Sequence, residues 1–364
     1  DSGRHPSQLE ASAVHRAVET FRVRDKGNNM RLTFSVRALA GLALAMAWSS
    51  ASAVDCLIFV HGKQTDTGTY TNWTNTRNYW TSGSNDFIKT ATKNFATDFY
   101  VVGYNGSRPY HESQAAGHVA NEIVDATNGV ADGGGNKCNK TYAQGGSFWV
   151  VAHSMGGTVM DFILGNNDSS DPNYNMNGPY NTVASRITLA ITTGGAHRGS
   201  EGADAVCGGS SWGCNWAGSW IQDCDDPTWW LRSDDGVQVR TYANAPAKNI
   251  YLTGGYEAIF GASACLSGED DGVVQYASIF ACGGSAGTSY DNGNVCGNSN
   301  KQETSGFRNL DASHENHSDE KEDDDRDTRR AIPDGLWTCS GSPCAPNTQV
   351  QSSMSTAQYI AVLY

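Results

Sequence analysis

The sequence predicts an α/β fold, a mostly parallel central sheet flanked by helices, and two observations carry that prediction. Short, wholly apolar runs recur along the chain, as strands buried on both faces require. Between them lie segments whose apolar residues repeat at intervals of three and four, the period of a helix with one buried face. In open sheets of this kind the functional groups gather in loops at the carboxyl ends of the strands.

Taken in chain order, Cys56–Val60 (CLIFV) is the first buried strand, and it closes at a His61-Gly62 turn. Phe87, Ile88 and Ala91 share one side of a short helix, and residues 99–102 (FYVV) form a second strand. Over 114–127, Ala116, Val119, Ala120, Ile123 and Val124 fall at helical spacing, and Gly133, Gly134 and Gly135 mark a break after it. Residues 148–152 are the next strand and 158–164 (TVMDFIL) the helix that follows. Residues 186–192 (RITLAIT) and 249–253 (NIYLT) complete the readable strands.

The beginning of the chain reads differently. Met30, Arg31 and Arg37 precede an apolar run at 38–48, and Ala51-Ser52-Ala53 supplies a small-x-small cleavage site, so residues 30–53 are expected to be a signal peptide. The run is short of the roughly 20 residues a bilayer span needs. Residues 1–29 start without methionine and show no periodicity, which suits upstream sequence better than a domain. Residues 54–364 are then expected to form one α/β domain, secreted and extracellular.

All ten cysteines (56, 138, 207, 214, 224, 265, 282, 296, 339 and 344) follow the cleavage site, and an even count in an exported chain favours several disulfides. Their connectivity stays open, although Cys339 and Cys344 suit a small local loop. No Cys-x-x-Cys pair occurs and no histidine stands at ligand spacing, which disfavours zinc. Residues 1–53 carry seven Lys or Arg against four Asp or Glu, so their removal takes the formal net charge from −13 to about −16. Such a surface repels phosphate backbones and anionic lipid, and nucleic acid is excluded as a partner. Between Cys207 and Trp230 three cysteines accompany Trp212, Trp216, Trp220, Trp229 and Trp230. This insertion reads equally well as an aromatic wall facing substrate or as a satellite core beneath a long loop.

Ala152-His153-Ser154-Met155-Gly156 joins a strand to a helix, and its composition has a chemical reason. A serine hydroxyl becomes a nucleophile when it is held clear of its neighbours beside a base. A sharp strand-to-helix turn lifts it above the sheet, and crowding there demands small residues two positions before and after, here Ala152 and Gly156. The helix also aims N–H groups and its positive dipole end at the reacting centre. An acid and then a histidine should follow in the chain. Beyond Ser154 the histidines are His197, His314 and His317. His197 follows a strand that precedes any plausible acid and suits a rim or structural role. His314 and His317 lie late, where the base belongs. Asp271, before Gly272, suits a tight turn that aims a carboxylate, with Asp270 its rival. The backbone N–H groups of Lys63 and Met155 are the expected oxyanion donors.

Five segments together resemble the secreted bacterial triacylglycerol lipases of the α/β-hydrolase superfamily. Leu57–Gly62 looks like their oxyanion strand and turn, and Ala152–Gly156 like their nucleophile elbow. The stretch 192–200 is similar to their Thr-x-Gly-x-Pro-His-Arg-Gly-Ser segment, with Ala196 at the proline position. Asp271-Gly-Val-Val274 and Asn316-His317-Ser-Asp-Glu320 resemble their acid and histidine motifs, which selects His317 over His314. The resemblance implies a serine ester hydrolase needing no cofactor, with lipid or polyester esters as substrate. Those lipases often carry calcium beside the histidine loop. Asp319 resembles one ligand, but no convincing partner aspartate stands upstream of Asp271, so calcium stays an open alternative to reading the acidic run from Asp319 as a solvated helix start. A noncatalytic binding protein on the same scaffold is the reading from another class.

Overall fold

The computed structural model describes residues 54–63, 73–82, 85–165, 178–197, 199–208, 223–233, 248–253, 271, 273–274, 276–279, 307–313, 335–338, 349–352 and 356–362. In chain order its main elements are β1 (Cys56–Val60), α1 (Trp73–Tyr79), the short pair β2 (Thr81–Ser82) and β3 (Asn85–Asp86), α2 (Phe87–Ala91) and β4 (Asp98–Val102). A π-helical turn (Ser113–Gly117) then runs into α3 (His118–Thr127). There follow β5 (Phe148–His153), α4 (Met155–Gly165), α5 (Pro179–Arg186), β6 (Ile187–Thr193), α6 (Glu201–Gly208) and α7 (Asp226–Trp230). The last are β7 (Lys248–Thr253), α8 (Tyr276–Ile279), β8 (Phe307–Ser313), β9 (Gly335–Thr338), β10 (Gln349–Ser352) and α9 (Thr356–Val362).

The apolar runs became strands because both of their faces are covered. Cys56, Ile58 and Val60 of β1 and Phe148, Val150 and Ala152 of β5 join one core with Val119, Ile123, Val159 and Ile163 of α3 and α4. Leu57, Phe59, Trp149 and Val151 point the other way, into a second core with Phe87 and Ile88 of α2 and Ile360 of α9. A run that alternates between two dry cores has no polar position left, hence CLIFV.

The main sheet runs β10-β9-β8-β7-β6-β5-β1-β4. Every pairing from β4 across to β8 is parallel, and β9 and β10 extend the sheet antiparallel. Val60 lies opposite both Val102 and Ala152, and Ala152 opposite Thr192. The chain therefore leaves β1, β5 and β6 side by side at one edge, which is where the singled-out residues follow.

Several boundaries differ from the sequence reading. Arg186 closes α5 rather than opening β6, because its guanidinium bonds Thr127 Oγ1 at 2.7 Å and Asn128 Oδ1 at 2.8 Å beyond the end of α3. The helix after the serine begins at once, at Met155. Strands β8 to β10 had no apolar run to announce them: FRNLDAS and QVQS interleave polar residues throughout. Two disulfides are described, Cys56–Cys138 and Cys207–Cys224. The first ties β1 to the loop beyond α3. The other cysteines lie outside the described residues.

Candidate active site

Ser154 stands at the junction of β5 and α4 with φ 57°, the left-handed region that a residue bearing a Cβ enters at a cost. Its N–H bonds Thr193 O at 3.1 Å, and its own carbonyl accepts the Gly157 N–H at 2.9 Å. From Phe148 to Asp161 every residue is buried except Ser154, which is partly exposed. The turn lifts one hydroxyl out of a dry core.

The small residues around it are required by contact. A Cβ on Gly156 would lie 2.5 Å from His61 O and 2.8 Å from Val60 O, both backbone atoms. A Cβ on Gly62 would lie 2.6 Å from Ser154 Cβ and 2.6 Å from Tyr79 Oη. The turn after β1 thus backs directly onto the serine, bringing together two segments that lie far apart in the chain.

His61 and Tyr104 brace that turn. Their rings stack with centroids 4.2 Å apart. His61 Nδ1 donates to Gly62 O at 2.8 Å, its Nε2 accepts the Tyr104 N–H at 3.3 Å, and the Tyr104 hydroxyl donates to His61 O at 2.9 Å. Burial pushes the His61 imidazole down to about 4, so the ring stays neutral and keeps the tautomer these bonds need. On the other flank the Tyr79 hydroxyl meets His153 Nδ1 at 2.5 Å. Sequence reading passed over Tyr79 and Tyr104, since neither belongs to a motif.

Of the two residues named as oxyanion donors, Lys63 follows directly after Gly62 and Met155 opens α4. The Lys63 side chain has a task of its own. It is buried, and its Nζ pairs with Asp225 Oδ2 at 3.1 Å. Asp225 caps α7 by accepting the Thr228 N–H at 3.0 Å. The helix that carries Trp229 and Trp230 therefore begins beside the turn after β1. Trp229 is 47 % exposed and Trp230 36 %, with the Arg232 guanidinium 4.0 Å from the Trp229 ring centre and His111 4.5 Å from that of Trp230. Within the insertion these two tryptophans are surface rather than core. Trp212, Trp216 and Trp220 lie outside the described residues.

Asp271 is fully buried, in a turn whose shape its own carboxylate fixes. Oδ1 accepts the N–H groups of Val273 at 2.9 Å and Val274 at 2.7 Å, while the Asp271 N–H bonds Val274 O at 3.2 Å. Such bonding fixes the orientation of the carboxylate. Asp270, His314, His317 and Asp319 lie outside the described residues. The chain leaves β8 at Ser313, shortly before His317, on the edge from which β5 delivers Ser154.

His197 is no rim residue. It is buried, with Nδ1 2.5 Å from Asp161 Oδ2 and Nε2 2.9 Å from Thr192 Oγ1. With both ring nitrogens engaged it has no lone pair to offer Ser154, which removes the nearest rival to a later histidine as base. Asp161 was hidden in sequence by its place inside the apolar run TVMDFIL. Among the described residues no group of three or more His, Cys, Asp or Glu side chains is arranged to hold a metal ion.

No family model matches the chain, and no curated protein sequence matches it. Solved structures do. The mature lipase BlEst2 of Bacillus licheniformis is 17 % identical over 73 % of this chain and 86 % of its own, with a TM-score of 0.47. EstA from Clostridium botulinum is 14 % identical over 74 % and 83 %, TM-score 0.45, and the Staphylococcus hyicus lipase 13 % over 76 % and 90 %, TM-score 0.43. Likenesses this remote do not bear on substrate or mechanism, and the fold rests on the chain's own topology. Parallel strands in the order β4-β1-β5-β6-β7-β8, with a left-handed serine between β5 and the helix behind it, give this chain the α/β-hydrolase fold.

Proposed function

We propose that the chain is a secreted serine carboxylic-ester hydrolase. The observation that carries the reading is Ser154, the one partly exposed residue between Phe148 and Asp161, held at positive φ against the Gly62 turn. In the reaction His317 takes the Ser154 proton as Oγ attacks the ester carbonyl, and Asp271 orients and stabilises the imidazolium. The N–H groups of Lys63 and Met155 hold the oxyanion. His317 then protonates the leaving alcohol, and water, activated by the same imidazole, releases the acid and restores Ser154. No cofactor takes part. The two described disulfides suit an oxidising compartment, and no helix among the described residues is long and apolar enough to cross a membrane.

Lipid esters are the first substrate class. The exposed pair Trp229 and Trp230 favours a second reading, a depolymerase for insoluble polyester, because flat aromatic side chains adsorb to apolar solids as well as to lipid. The test is hydrolysis of p-nitrophenyl esters of increasing acyl length by oxidatively folded 54–364, with Ser154→Ala alongside. Turnover should fall at least roughly 10⁴-fold in the variant. A long-chain optimum selects the lipase, and a short-chain optimum with mass loss from polyester film the depolymerase. Undiminished turnover in Ser154→Ala, or no labelling of folded wild type by a fluorophosphonate, would sink the mechanism.

A further inference from the structure

The segment from Thr192 to Ser200 runs between the two ends of the site. On one side it holds the serine's helix. Thr193 O accepts the Ser154 N–H, and Ala196 O accepts the Thr158 hydroxyl at 2.7 Å. Gly157 is pressed so close that a Cβ there would lie 3.1 Å from Gly195 Cα and 3.3 Å from the His197 ring. On the other side it holds the turn of the acid. Ser200 Oγ donates to Val273 O at 2.6 Å, and Ser278 Oγ donates to Gly199 O at 2.5 Å. Val273 also gives its N–H to Asp271 Oδ1, so a shift of Ser200 is a shift of the carboxylate.

What fixes the segment itself is a buried polar contact. His197 lies on it, Asp161 on α4 and Thr192 at the end of β6, and the imidazole bridges the other two. The arrangement is an expensive one. Burial raises the Asp161 carboxyl above its ordinary range, and its second oxygen, Oδ1, is buried without a hydrogen-bond partner among the described residues. An apolar trio of similar volume would pack without that cost, so the contact is better explained by the geometry it imposes than by stability.

We propose that the Asp161–His197–Thr192 contact is a positioning device: it fixes the segment on which both the Ser154 helix and the Asp271 turn are hung, and so sets nucleophile against acid. This rests on the reading of Ser154 and Asp271 given above. The three side chains are buried, and they act through Ser154 and Asp271.

The experiment measures both steady-state ester hydrolysis and backbone hydrogen exchange in wild type, His197→Leu and His197→Asn, the last keeping a donor toward Asp161. In His197→Leu, kcat is expected to fall roughly 10- to 100-fold with KM within about twofold, as for a small misplacement of reacting groups. Amides of 154–157 and of 271–274 should both exchange faster, while those of β1 and β4 keep their protection. His197→Asn should recover most of both losses. Exchange confined to 192–197, with wild-type kcat, overturns the proposal. If the ester-hydrolase reading itself fails, through an inactive wild type or an active Ser154→Ala, the exchange pattern still decides whether the contact couples the two turns. If His197→Leu does not fold, Asp161→Asn, nearly equal in volume, is read the same way: the same pattern in smaller degree supports the device, and wild-type exchange and turnover in it overturn the device.

Discussion

At Ser154 chemistry and backbone pull in opposite directions. A left-handed φ of 57° at a residue with a Cβ costs roughly 1–2 kcal/mol, and the fold accepts this because the angle projects the hydroxyl out of the core. Two inactive variants separate these effects. Ser154→Ala keeps the strain and Ser154→Gly removes it, so the glycine variant should be the more stable by about 1 kcal/mol in urea unfolding, despite glycine's greater unfolded-state entropy. Equal stabilities would mean that the turn is not strained. His61 makes a second residue-scale prediction. Its folded pKa, about 4, lies below the unfolded value of 6.5, so the unfolded chain binds the proton more readily. The stability this neutral ring confers is present above pH 6.5 and is lost as pH falls toward 4, amounting to about 3 kcal/mol across that window. His61→Asn, whose amide can still reach Gly62 O, should be less stable at pH 7 yet show a shallower decline between pH 6.5 and 4. Parallel curves for the two proteins would assign acid lability to other groups.

The elements explain why some of this was legible. Strands β1, β4, β5 and β6 were readable because a parallel strand between two cores leaves its composition no choice, and β7 was readable from its run NIYLT. The elbow was readable because its crowding shows as small residues at fixed offsets. Gly156 measures how strict that crowding is. In Gly156→Ala the new Cβ meets two backbone carbonyls of the β1 turn, which cannot rotate away. A loss of about 1–3 kcal/mol is expected, with ester turnover falling alongside because the same carbonyls lead into the turn proposed to supply an oxyanion donor. Wild-type melting temperature and kcat in the Gly156→Ala protein would show that α4 can retreat from β1. The two polar pairs were not legible. Lys63–Asp225 and Asp161–His197 each join segments far apart in the chain, and neither partner stands at a spacing that marks it. Asp161 stands inside the helical run TVMDFIL and His197 suited a rim or structural role, of which the structure shows the second. The tight turn at Asp271 was legible in sequence and its carboxylate does close it, while the catalytic roles of Asp271 and His317 belong to the proposal.

For the whole molecule, the two described disulfides divide their work between stability and site. Cys56–Cys138 spans 82 residues and fastens β1, the strand that ends in the His61-Gly62 turn, to the loop beyond α3. Cys207–Cys224 spans 17 and ends one residue before Asp225, the partner of Lys63 and cap of the tryptophan helix. In the chain-entropy account, bridges of these lengths contribute roughly 4–5 and about 3 kcal/mol. Replacing the first pair by alanine should therefore lower the urea midpoint more than replacing the second, the more so because Cys56 and Cys138 are both buried. Activity should rank them the other way. At a temperature where both variants remain folded, loss of Cys56–Cys138 leaves β1 still paired to β4 and β5, and ester turnover should stay near wild type. Loss of Cys207–Cys224 frees the approach to Asp225, which loosens Trp229 and Trp230 beside Lys63, and KM for long-chain esters should rise severalfold. A KM indifferent to the second bridge would detach the tryptophan helix from substrate binding. The ion pair to Lys63 would then serve only to cover the oxyanion turn.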